Sequence, residues 1–247
     1  MKRQSDRGFA DTAQQRAVLS ALSDDLALPL LQIKTTLELI EGSKLSAKNS
    51  LRHAKAMALS TEAGLQLIEA YRFALRAQDE AALPLEPVAV SAVLQEVAQQ
   101  LTPYAKSYGT VIEVNVQGRL TPVLANRQSL AAAMQCLGAS FIRAQAAQSE
   151  SKSHKLMLGA RRSADNVIST GVFSNAQGLS DRTLRTARSL AGRARQPLSG
   201  FPAGTASGIL IADMLCGAMW QPLRAAAHRN MHGLATAVPI SKQLQFV

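Results

Sequence analysis

The hydrophobic positions in the first third of the chain recur with a helical period. Leu19, Leu22, Leu26, Leu30, Ile33, Leu37 and Ile40 are three or four residues apart, the seam of a heptad-type helix. Pro29 falls inside that seam and is expected to kink it. Gly42, Ser43 and Ser46 mark a turn. Leu51, Ala54, Ala58, Leu65, Ile68 and Leu75 then share one side of a second helix. The two read as an antiparallel hairpin. A lone hairpin buries too little apolar surface to be stable, so a homodimer closing a four-helix bundle is expected. Packing of the hairpin on the rest of its own chain is the alternative.

The pattern changes after AQDEAALPLEPVAV, a linker rich in proline and alanine. Val88 to Tyr108 predicts a helix, Thr110 to Val116 a strand, and Arg127 to Ala144 a second helix. Lys155 to Ser174 predicts paired strands turning at Ala164 and Asp165. Asp181 to Arg195 predicts a basic helix, QPLSGFPAGTASG a loop, Ile209 to Trp220 a buried helix, and Arg224 to Ser241 a closing hairpin. That order predicts an α+β sandwich, a helix layer on a mixed sheet, spanning 84–247 after a helical domain at 1–83.

Composition narrows the class. With 47% hydrophobic and 18% charged residues the chain can build a core, which excludes wholesale disorder. Only 4% is aromatic, against an aromatic-rich β-sandwich. The best apolar run, Gly208 to Trp220, is short for a membrane span and carries Asp213. No secretory leader is expected at the N-terminus, and the expected setting is cytoplasmic. Cys136 and Cys216 lie far apart in apolar surroundings, which predicts buried thiols and excludes a disulfide framework or CxxC site.

The charge is uneven. Residues 1–86 carry eleven basic and eleven acidic side chains, whereas the remainder carries sixteen and six. The whole net charge of +10 therefore lies in the second part. Such a domain attracts phosphates, nucleic acid or acidic proteins at long range without choosing among them. Arg182, Arg185, Arg188, Arg193 and Arg195 form its densest patch. No aromatic residues interleave with them, so a stacking platform for single strands is not expected.

Several short stretches, in order, carry a family resemblance. Ser23-Asp24-Asp25-Leu26-Ala27-Leu28-Pro29-Leu30 resembles the phospho-acceptor box S-H-E-L-R-T-P-L of sensor histidine kinases. Leu85-Glu86-Pro87-Val88 resembles their interdomain junction, and Pro122 to Arg127 the stretch before the ATP-site helix. Gly204-Thr205-Ala206-Ser207-Gly208-Ile209 resembles the second glycine box, and Gly233 to Ile240 the closing strand. The resemblance covers roughly residues 15–241. It implies a dimerising helical hairpin followed by a Bergerat-type ATP-binding domain.

The resemblance also marks where the catalytic residues should stand, and this chain differs there. Asp24 occupies the position of the phospho-accepting histidine, the nucleophile of the family. Gln135 and Ala139 replace the two asparagines that would hold Mg²⁺ and phosphate. Ser174, followed by Asn175 and Gly178, replaces the aspartate that accepts the adenine amino proton. Ala206 replaces a glycine of the second box, between Gly204, Thr205 and Gly208, and its side chain crowds the approach to phosphate. The implied protein is a pseudokinase acting by protein-protein interaction. Its partners would be a second copy and a response regulator or other signalling protein, with nucleic acid behind these and no membrane. Weak ATP with Mg²⁺ is the only cofactor this leaves room for. The enzymatic alternative is a shifted phosphotransfer site, with His53 as acceptor. The alternative outside enzymes is a nucleic-acid module using the basic patch. His228 and His232, four apart in a strand-turn region, are not expected to bind metal.

Overall fold

The computed structural model describes helical positions between 19 and 42 and between 49 and 72, then residues 83–148, 154–163, 166–175, Leu184 and 206–242. Pro29, Asp24, the basic patch, Gly178, Gly204 and Thr205 lie outside these described residues.

The two N-terminal helical stretches lie side by side, because a Cβ at Gly64 would sit 3.6 Å from Leu26 Cδ2. Heptad spacing divides the first seam. Leu26, Ile33 and Ile40, seven apart, are half-buried, whereas Leu19, Leu30 and Leu37 are exposed. In the second stretch His53, Met57, Ser60 and Gly64 are half-buried. The apolar side expected to be buried, with Leu51, Ala54, Ala58, Leu65 and Ile68, is exposed in the single chain. Tyr71 packs against the core of the following sandwich.

That sandwich runs β1 (Glu86–Val88), α1 (Val90–Ser107), β2 (Thr110–Gln117), β3 (Val123–Ala125), α2 (Arg127–Gln148), β4 (His154–Arg162), β5 (Val167–Ser174), α3 (Ala206–Ala218), β6 (Arg224–His228) and β7 (Met231–Pro239). Five strands form one sheet in the order β2-β4-β5-β7-β6. The β2–β4 pair is parallel, since α2 supplies the crossover that parallel strands require, and the remaining pairs are antiparallel. The mixed sheet and its helix layer are as the sequence predicts.

Three boundaries differ. The second half of the expected linker is structured: Glu86, Pro87 and Val88 pair with Ala125, Leu124 and Val123, and Leu83 is buried in the sandwich core. Helix α2 continues past Ala144 to Gln148 because the next residues, Gln and Ala, favour helix. Helix α3 starts at Ala206 rather than Ile209. It ends at Ala218, where Trp220 takes φ +64° and Gln221 N–H closes on Cys216 O at 2.9 Å.

Helix α1 buries Val90, Val93, Leu94, Val97, Leu101, Tyr104 and Ala105, a single stripe at helical spacing. Asn126 starts α2 by accepting a 2.9 Å hydrogen bond from Ser129 N–H at its Oδ1, and its Nδ2 donates to Pro84 O. Leu130, Leu137, Phe141, Leu156, Leu158, Ile168, Val172, Ile209, Ile211, Leu215 and Leu234 fill the space between helices and sheet. Asp213, the charge in the most apolar helix, accepts from Leu223 N–H at 3.1 Å.

The sheet face away from the helices is coiled tightly. Four strand spacings would hold the two edge strands about 19 Å apart in a flat sheet. Yet His228 on edge strand β6 reaches Asn115 on edge strand β2, its Nε2 donating to Oδ1 at 2.9 Å. The His228 ring stacks on Phe173, centroids 5.1 Å apart, and both lie over Gly159. A Cβ at Gly159 would meet Phe173 Cε2 at 2.9 Å, so glycine is required for this closure.

Candidate functional site

Ser174 is the last residue of β5. It pairs with Leu156 on one side and His232 on the other, and it is fully buried. Asn175, next in the chain, is exposed. A serine hydroxyl at this point has no ionised oxygen to hold an exocyclic amine, which an aspartate would have.

Helix α2 carries the next candidate positions. Steps of four place Gln135, Ala139 and Arg143 along one stripe, and all three are half-buried. The opposite side of the helix is core, with Leu130, Leu137 and Phe141 essentially inaccessible. Gln135 Nε2 donates to Gln100 Oε1 on α1, so its amide is engaged between helices. Ala139 offers no polar atom. Nearby, Arg127 pairs with Glu96 at 2.5 Å and ties the start of α2 to α1.

Helix α3 packs against α2. Gly208 lies against α2, where a Cβ would collide with Ser140 Oγ and approach Cys136 O within 2.8 Å. This glycine lets the two helices cross closely, a packing role sufficient by itself to require it. Cys136 and Cys216 are buried free thiols, and burial pushes both up to about 12. They stay protonated and apolar in character.

The structure thus places Gln135 toward α1, Gly208 against Cys136 and Ser140 of α2, and Ser174 and Asn175 at the end of β5. His53 is helical and half-buried in the N-terminal region. His228 and His232 are not neighbours in a site: His228 is buried against Asn115 and Phe173, while His232 is exposed. Among the described residues no group of three His, Cys, Asp or Glu side chains is placed to hold a metal ion. None of the described helices is long and apolar enough to cross a membrane.

Sequence reasoning missed three polar groups. The Nε and Nη2 of Arg143 are shut off from solvent without a hydrogen-bond partner, while the hydroxyl of Tyr104 meets that of Tyr108. Tyr104 and Tyr108 stand one helical turn apart with ring centroids 5.0 Å apart. Tyr108 is raised far above the ordinary phenol range by burial and by Tyr104, with the Arg143 charge acting against this. The available signal was Arg143 itself, the one charge in α2 after its first residue.

No protein-family profile matches the sequence, and no curated protein matches it significantly. Solved structures do. The chain is similar to the Acinetobacter baumannii histidine kinase AdeS, with a TM-score of 0.56 and 15% identity, over 89% of this chain and 98% of that one. A bacterial phosphotransferase gives a TM-score of 0.50 and 13% identity over 90% and 93%. Full-length ShkA, solved with AMPPNP, gives 0.50 and 16% over 97% of this chain but 45% of its own length. At these identities the likeness is one of fold. The fold is histidine-kinase-like, with the mixed five-stranded sheet of a histidine kinase ATPase domain.

Proposed function

We propose that this chain is a signalling protein that keeps a histidine-kinase-like fold and has given up phosphoryl transfer. It acts by holding other proteins: a second copy of itself, and a response regulator or an active kinase in a mixed dimer. The observation that carries this reading is the outward stripe of α2. Gln135 is bonded to Gln100, Ala139 has no ligand atom, and Ser174 stands at the end of β5 without a carboxylate. Phosphoryl transfer needs charge neutralisation by a positioned metal and an activated acceptor. The sequence supplies Asp24 where the acceptor imidazole would stand.

The homodimer rests on separate support. Leu19, Leu30 and Leu37 on the first helical stretch, and Leu51 and Leu65 on the second, are between 44% and 71% exposed in one chain. Burying such residues gains about 1.5–3 kcal/mol each, and a two-fold bundle would bury both rows together. The test combines sedimentation with a binding assay. The reading expects a dimer that Leu30→Glu with Leu37→Glu converts to a folded monomer, and capture of a receiver domain without phosphate transfer. A monomer at all concentrations, or transfer of label from ATP to the receiver, refutes it.

A further inference from the structure

We propose that Trp220, with Arg224 four residues on, anchors a docking surface for an acidic segment of a partner protein. Trp220 is the single tryptophan of the chain and is 83% exposed, more than any other large hydrophobic side chain among the described residues. An exposed leucine needs no explanation, since much of any protein surface is apolar. An exposed tryptophan in the left-handed region does. Helix α3 ends in a Schellman motif: Gln221 N–H donates to Cys216 O at 2.9 Å, and Trp220 N–H to Gly217 O at 2.8 Å. That motif requires a positive φ at its turning residue, and Trp220 adopts +64°. Glycine fills such a position without steric cost, whereas a bulky side chain is strained there. Trp220 thus carries backbone strain while its ring packs on little of its own chain. Strain kept without a packing return points to a function for the ring.

The ring is held ready. Gln221 O accepts from the Thr236 hydroxyl at 2.5 Å, and Leu223 is buried with its N–H on Asp213 Oδ1. Pro222 stands between them with its φ fixed by its own ring. Gly217, one turn before Trp220, is exposed, and a Cβ there would meet nothing within 4 Å, so the space beside the helix end is open. An aromatic side chain on a braced turn loses little freedom on binding, which suits it to anchor an interface.

Charge decides the partner. From Met214 to Val247 the sequence holds no aspartate or glutamate. Arg224, which opens β6, and Arg229, which follows it, are both exposed, and among the described residues neither is in an ion pair. The nearest carboxylate in sequence, Asp213, is engaged by Leu223 N–H. Such a surface is complementary to carboxylates. A nucleic-acid strand fits less well, because it needs aromatic platforms for successive bases, and no Phe, Tyr or Trp follows Trp220 until Phe246. The surface is distinct from the helical stretches that carry the homodimer, and its failure leaves the proposed function untouched.

The single tryptophan makes the test direct, because the indole emission of the full chain reports this one site. The probes are short peptides in which glutamates flank one leucine or phenylalanine, the same peptides with lysine for glutamate, and a single-stranded DNA of matching length. The glutamate peptides should shift the emission to the blue and shield it from acrylamide, saturating below about 1 mM. Their affinity should fall at least about tenfold between low salt and about 0.5 M salt. Read by anisotropy of labelled peptide, Arg224→Glu should weaken binding at least about fivefold and Trp220→Gly at least about tenfold. Trp220→Gly should also melt about 2 °C higher than the parent, because glycine relieves the strain. No saturation by the glutamate peptides, an equal response to the lysine peptides, or binding of DNA in their place overturns the proposal. So does a Trp220→Gly protein that binds like the parent or melts lower.

Discussion

The two sides of helix α2 differ in what constrains them. Toward the sheet, Leu130, Leu137, Phe141 and Ala144 are at most 1% exposed and packed among strand side chains. Away from it, Gln135, Ala139 and Arg143 form a half-buried stripe. The inner side obeys volume and hydrophobicity, and a methylene lost there costs packing energy. The outer side obeys chemistry, and nothing in the packing requires asparagine, aspartate or histidine along it. One helix can therefore keep a histidine-kinase-like fold while the positions that would serve nucleotide chemistry change. The core side of α2 carries the packing, and the positions that the family resemblance marks for nucleotide chemistry, Gln135 and Ala139, lie outside it.

The comparison can be broken most forcefully from the inner side. Leu137→Ala is expected to cost about 2–5 kcal/mol in urea denaturation. A loss below about 1 kcal/mol would mean the inner side is not what holds the fold. Gly208→Val, at the crossing of α2 and α3, should cost about 1–3 kcal/mol, since backbone at Cys136 cannot yield as a flexible side chain would.

The outer side is tested by restoring what it lacks. Ala139→Asn combined with Ser174→Asp should raise affinity for ATP in Mg²⁺ about tenfold, roughly 1.4 kcal/mol, as read by titration calorimetry. Unchanged affinity would show that these two positions do not separate the chain from a nucleotide binder.

A smaller effect sharpens the contrast at the far face of the sheet, where His228 is buried. Burial first, then Arg161 and Arg229, lower its pKa below the ordinary 6.5. The unfolded chain therefore takes up the proton first as pH falls. Stability should be constant with respect to this group above about pH 6.5 and decline from there toward its lower folded value. His228→Gln should flatten that decline in urea midpoints measured between pH 7.5 and 5, at about those limits. The least effect is expected at Glu113, whose pairing with Lys155 at 3.3 Å is nearly half exposed: Glu113→Gln should change stability by less than about 1 kcal/mol.

Much of the sandwich was legible from periodicity. The α1 stripe, the alternation of β2, the β4–β5 hairpin and the β6–β7 hairpin all carry patterns that burial alone explains. The short β1–β3 pairing was not legible, because Glu86-Pro87-Val88 reads as the end of a linker and pairing needs a partner 37 residues from Pro87 in sequence. Nor was the coiling of the sheet, which depends on His228 meeting Asn115 across a separation of 113 residues. At the site, Gln135, Ser174 and Gly208 were marked by a family resemblance. Arg143 was not, because an unpaired donor becomes visible only when its surroundings are known. The basic patch and Asp24 fall outside the described residues.

The most direct test of the central claim is incubation of the full chain with γ-labelled ATP and Mg²⁺, followed by assay for alkali-stable protein-bound label. The account predicts none. Label that accumulates with time and is abolished by His53→Gln would show that a shifted acceptor works, and would contradict it.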